Sequence, residues 1–212
     1  MRRRPRGTPR GVLALASAVA FIEAVLFTSL APLLPRFEKG LDLTATGAGV
    51  LVAAYAMGAF VAAFPSIAVA RRTGVKATVI TAFVVLAVAT FALAIADSLP
   101  GVIGARFVQG VGSALALTGA IAWLTGVTEL SLRAAAIGIA FSAAFIGALL
   151  GPILGAAAAS IGITTVFTTV AICAVALAVA TLRLDAPTRS GMGKTPPWRS
   201  SFTIVLRASA SG

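Results

Sequence analysis

Ala105-Arg106-Phe107-Val108-Gln109-Gly110-Val111-Gly112-Ser113-Ala114 sets an arginine inside an apolar run with no other charge between Leu99 and Gly126. A guanidinium at membrane depth costs a few kcal/mol even on lenient insertion scales, so it usually faces a bundle interior or a watery cavity. At helical spacing Arg106, Gln109, Gly110 and Ser113 share one face, a polar stripe flanked by small residues. Arg106 lies six residues past Pro100, about 9 Å along a helix, so a side chain that snorkels to the headgroups is the competing reading. The Gln-Gly-x-Gly face beside it suits tight helix contact better than lipid.

The composition extends this reading to the whole chain. Hydrophobic residues make up 59% of the 212 positions and charged residues only 11%, with a mean hydropathy of +1.03. The charges sit almost entirely between apolar runs, which is the layout of an all-α polytopic membrane protein rather than a soluble domain. A net charge of +11 invites a nucleic-acid reading. The basic residues, however, are not gathered on one soluble domain with interleaved aromatics, and no nucleic-acid partner is expected. Cys173 is the single cysteine and lies within an apolar run, so no intrachain disulfide can form. Without histidine or an acidic cluster, no zinc or di-metal site is expected.

A basic N-terminus, residues 1–11, carries Arg2, Arg3, Arg4, Arg6 and Arg10. The apolar run that follows, about 12–34, is too long for a cleaved signal and reads as an uncleaved first span. Glu23 falls near its midplane, where the bland alternative is a packed, neutral carboxyl and the functional one a proton-titrating group. Ala31-Pro32-Leu33-Leu34-Pro35 is a kink and exit signal. Further spans are predicted at about 47–70, with Tyr55 at mid-depth, and at 77–96, 101–127, 134–159 and 163–182. Residues 183–212 form a polar, basic tail whose apolar patch Phe202–Leu206 is too short to span, and disorder is expected there. Fourteen Lys and Arg fall on one side of these spans and two on the other. This positive-inside bias predicts a multi-pass protein of the cell (inner or plasma) membrane with both termini cytoplasmic.

Six spans with short loops, the Arg-x-x-x-Gly-x-Gly face and a second face on the fifth span together resemble the amino-terminal half of a major facilitator superfamily transporter, over roughly Val12 to Leu182. Arg106, Gly110 and Gly112 match that family's fourth-helix motif, whose arginine the resemblance implicates in proton coupling. Gly147, Gly151, Pro152 and Gly155 match the fifth-helix motif, with Ala156 in place of a frequent glycine. That motif is characteristic of the family's exporters that exchange drugs or metabolites for protons. The loop after the second span departs from the family pattern. Arg72, Gly74 and Lys76 match it, but Ile67 stands for its glycine and Arg71 for the acid that helps the family hold one conformation. The resemblance implies a half bundle of inverted three-helix repeats, with substrate bound between two halves near the midplane. It also implies that the face formed by Gly147, Gly151 and Gly155 meets the other half.

Proton-coupled efflux of a small molecule, an antiport driven by the proton gradient without any cofactor, is the function expected. Glu23 is the expected proton- or cation-responsive carboxylate, paired with Arg106 at similar depth, and Gln109, Ser113 and Tyr55 are expected to line the cavity. The chain is expected to be an amino-terminal half, a fragment whose second half-bundle lies elsewhere, and the alternatives are a truncated, frame-shifted or half-size protein with no transport of its own, or one that acts only as a self-dimer. Enzymatic activity is not expected, because Ser17, Ser113, Ser142 and Cys173 have no histidine, lysine or paired aspartate in any span to activate them.

Overall fold

In lipid every backbone N–H and C=O must find its partner within its own segment, so apolar runs of spanning length become helices. The structure, a computed structural model, describes residues 10–41 and 43–185. Among these are six stretches long and apolar enough to cross a bilayer. They are built from seven α-helices: α1 (Arg10–Thr28), α2 (Leu34–Leu41), α3 (Ala45–Thr73), α4 (Val75–Ile95), α5 (Leu99–Val127), α6 (Arg133–Ile161) and α7 (Ile163–Leu182). No strand occurs among the described residues. The fold is an all-α bundle of six spans, and the span order read from hydropathy holds. The basic N-terminus before Arg10 and the tail from Ala186 lie outside the described residues.

The first span differs from the expected continuous helix. α1 stops at Thr28, six residues before the predicted end, and a 3-10 turn over Ala31–Leu33 leads into α2. The cause is local chemistry. Thr28 Oγ1 bonds back to the carbonyl of Ala24 at 2.8 Å, and Ser29 Oγ to that of Leu26 at 3.0 Å. Such back-bonding competes with the helix ladder, and Pro32, which has no N–H to give, leaves the Thr28 carbonyl without its ladder donor, so helix resumes only as α2. At the other side of the bundle α3 turns sharply into α4 through Gly74, whose φ of +93° suits a residue without a Cβ.

Packing pairs the spans crosswise: α1 lies on α6, α3 on α5, and α4 on both α5 and α7. The two crosswise contacts are backbone-close because glycines line them. A Cβ on Gly58 would collide with the carbonyl oxygen of Phe107, and one on Gly110 with that of Tyr55, so α3 and α5 each remove a side chain where they cross. The α6 glycines do the same against the first span. Gly147 abuts the Phe21 carbonyl, Gly151 the Thr28 side chain and Gly155 the Ser29 carbonyl. This corrects the expectation that these glycines face another half: their partner is α1 and the turn beyond it. Pro152 sits inside α6 on its exposed side.

The remaining helix ends are closed by donors from elsewhere. Arg36 donates to the Ala159 carbonyl of α6 at 3.1 Å, and Lys76 Nζ to the carbonyls of Leu182 and Leu184 at the end of α7, both at 2.7 Å. Arg133 Nε reaches the Thr128 carbonyl after α5 at 3.2 Å, and Thr164 Oγ1 the Ala94 carbonyl of α4 at 2.9 Å. Cations suit helix C-termini because unpaired carbonyls carry partial negative charge there. Between α1, α6 and α7 an apolar cleft of about 490 Å3 remains, walled by Phe21, Val25, Leu150, Ile153, Thr169 and Cys173.

The close crossing yields a prediction. Overpacking a core costs about 1–3 kcal/mol when side chains can yield, and at Gly110 the obstacle is backbone. Gly110→Leu is expected to destabilise the bundle by at least about 3 kcal/mol, read as a fall in Tm of about 2–4 °C per kcal/mol. Gly104→Ala, which meets only open space, should leave Tm unchanged or slightly raised. Equal Tm values for the two variants would contradict the packing described.

Candidate functional site

A helix that ends at membrane depth leaves its last carbonyls without donors. α1 does so at Thr28, and α5 supplies the answer. Arg106, nearly inaccessible on α5, donates from Nη1 to the Leu26 carbonyl at 2.9 Å and from Nη2 to the Phe27 carbonyl at 3.3 Å. Nη1 also reaches Gln109 Oε1 at 3.1 Å, one turn along the same helix. Gln109 Nε2 in turn donates to Thr90 Oγ1 of α4 at 3.0 Å. The guanidinium carbon stands 4.8 Å from the centroid of the Tyr55 ring on α3, a cation–π contact in a desolvated place. Phe27 leans on the same ring, with centroids 5.5 Å apart. One side chain thus ties together α1, α3, α4 and α5. Its Nε has no partner among the described residues.

Glu23 stands one turn before the break, half-buried. Its carboxyl faces the Ser113 hydroxyl of α5, and Ser113 also lies beside the Tyr55 hydroxyl. Tyr55 Oη approaches the backbone carbonyl of Glu23 at 3.5 Å. The expected Glu23–Arg106 ion pair is not formed. Arg106 turns instead to the carbonyls above Glu23, because two broken-helix acceptors at fixed positions fit its forked donors. Gln109 is fully buried and engaged at both ends of its amide, so it serves the network rather than an open cavity.

Every residue predicted for the polar cluster therefore comes into one neighbourhood: Glu23 from α1, Tyr55 from α3, and Arg106, Gln109 and Ser113 from α5. Gly110 lies in the α3 crossing, and Gly112 faces Leu86 of α4. Arg72, Gly74 and Lys76 sit apart, at the α3–α4 turn. Thr90 and the carbonyls of Leu26 and Phe27 escaped the sequence reading. A lone threonine in an apolar span looks like any other, and a backbone carbonyl has no sequence signature.

The sequence profile of the Major Facilitator Superfamily matches residues 16–210, nearly the whole chain. The chain belongs to the Major Facilitator Superfamily. The fold agrees. The structure of the MFS proton:xylose symporter XylE bound to 6-bromo-6-deoxy-D-glucose is similar at a TM-score of 0.74 and 14% sequence identity. That likeness covers 84% of this chain and 45% of the symporter. The chain thus spans less than half the length of the MFS structure it matches. No curated protein matches it.

The network predicts how this MFS bundle responds to loss of its arginine. Arg106→Ala strands the Phe27 carbonyl and Gln109 Oε1 and leaves the Leu26 carbonyl only the Ser29 hydroxyl, and each buried unsatisfied group costs about 1–3 kcal/mol. Hydrogen–deuterium exchange across residues 24–34 should accelerate, and Arg106→Lys, a point charge without the fork, should recover only part of the protection. Unchanged exchange in Arg106→Ala would show that α1 does not depend on this contact.

Proposed function

We propose that this bundle is one half of a secondary active transporter that moves a small molecule across the cell membrane, coupled to protons. The observation that carries the reading is Glu23. It is the one carboxylate on α1 and α3 to α7, Glu38 lying on the short α2 at the end of the first span, and it is half-buried at mid-depth beside Ser113 and Tyr55. Ionisable groups at that depth are retained for ion or substrate pathways far more often than for packing. Glu23 takes and releases the proton. Ser113 and Tyr55 orient its carboxyl, and Arg106 positions the segment of α1 that carries it rather than pairing with it.

Outward transport in exchange for protons is the direction we propose, on the fifth-span motif Gly147, Gly151, Pro152 and Gly155. The driving force is the proton gradient and no cofactor takes part. The orientation we propose places the basic α3–α4 turn and both termini in the cytoplasm, following the bias of Lys and Arg. A second six-helix bundle completes the pathway, either a further half or a second copy of this chain. The bulky outer faces of α3 (Met57, Phe60) and α6 (Phe145, Leu149, Ile153) are exposed and offer it apolar surface.

The test is reconstitution in liposomes that hold a pH-sensitive dye, with a panel of small molecules added under an imposed proton gradient. Substrate-dependent proton movement is expected, and Glu23→Gln should abolish it while the protein still inserts. Undiminished movement in that variant would sink the assignment of Glu23. If no compound moves protons and cross-linking finds only monomers, the bundle is a membrane protein without transport of its own.

A further inference from the structure

The end of α3 carries a feature that the buried network does not use. A groove of about 360 Å3 runs along it, lined by Phe64, Ile67, Ala68, Arg71 and Arg72. Phe64, Ile67 and Ala68 lie three to eight residues before the arginines, so the helical repeat stacks guanidiniums at the helix end above an apolar trough. Phe64 precedes Arg71 by seven residues, about 10 Å along the axis, so the trough descends from headgroup level into the hydrocarbon. Phe64 is 79% exposed and Ile67 44%. Lys76, the next cation, is occupied with the end of α7. Arg72 already has a contact of its own, which leaves Arg71 as the principal anion contact. From Phe64 to Thr78 the chain contains no acidic residue.

We propose that this groove binds an anionic phospholipid, its phosphate at Arg71 with Arg72 alongside and one acyl chain lying along Ile67 and Phe64. Charge complementarity selects the headgroup. A planar guanidinium fork matches phosphate oxygens in geometry as well as sign, and basic residues at the end of a spanning helix meet anionic lipid at that level. The trough selects a lipid over free phosphate, since a free anion would use the arginines and leave Phe64 and Ile67 untouched. The site lies apart from Glu23 and Arg106, and its occupancy does not depend on transport.

The experiment is native mass spectrometry of the full chain released from nanodiscs of phosphatidylglycerol and phosphatidylcholine with matched acyl chains. Retention of phosphatidylglycerol over phosphatidylcholine is expected. Arg71→Gln should reduce it about five-fold, the effect of one basic residue near an anionic surface, without changing phosphatidylcholine. Phe64→Ala should also weaken phosphatidylglycerol retention, and glycerol phosphate should fail to displace the lipid. Both side chains are exposed, so neither change removes a buried contact. Arg10→Gln, at the exposed start of α1, is the control and should have no effect. Equal losses from Arg10→Gln and Arg71→Gln would reduce the site to diffuse surface charge and overturn the proposal. So would unchanged retention in Arg71→Gln, or displacement by glycerol phosphate, which would mark an anion site without a lipid groove.

Discussion

A helix cannot stop inside a bilayer unless something supplies donors to its last carbonyls, and the rest of this bundle depends on how that requirement is met at Thr28. Lipid offers no donors at that depth, and the helix has no further N–H to give. Beside the Ser29 hydroxyl on Leu26, the donors come from Arg106, whose own burial would be prohibitive without acceptors. Two costs therefore offset each other: a broken helix needs a forked donor, and a buried guanidinium needs fixed acceptors. The Tyr55 ring covers the cation, and Gln109 carries the connection on to Thr90. The same logic, in milder form, recurs at the membrane surfaces, where Arg36, Lys76 and Arg133 each close a helix end.

This arrangement separates two roles that a direct Glu23–Arg106 pair would have merged. Arg106 is bound to backbone, whose charge does not change with protonation. Glu23 keeps a hydroxyl neighbour in Ser113 instead of a fixed cation. In the mechanism proposed above, proton exchange at Glu23 leaves intact the contact that holds the first span to the fourth. In the proposed mechanism, structural integrity rests on Arg106 and titration on Glu23, and the two act on α1 within about one helical turn of each other.

Much of this was legible in the sequence. The number and order of spans followed from apolar length, because lipid leaves helices as the only form such runs can take. The small-residue faces at Gly110 and at Gly147, Gly151 and Gly155 announced close helix contact, and the charge of Arg106 announced an interior position. What escaped was set by groups that composition does not distinguish. Back-bonding by Thr28 and Ser29 ended α1 early, yet a Thr-Ser pair within an apolar run carries no mark of it. The partners of Arg106 are carbonyls, which every residue possesses, so the only carboxylate at similar depth was the natural but mistaken choice. The α6 glycines were recognised as a contact face and assigned the wrong partner, since spacing describes a surface and not what meets it.

The reciprocal crossing at Gly58 and Gly110 bears on how this chain can vary. In most packed cores an enlarged side chain can be accommodated by a smaller neighbour, so a harmful change has a compensating one nearby. Here the atoms in the way are the main-chain oxygens of Phe107 and Tyr55, and no replacement at either position removes a main-chain oxygen. Second-site suppressors of a change at Gly58 or Gly110 should therefore not arise at the contact itself. They would have to come from positions that shift a whole helix, such as the caps at its ends.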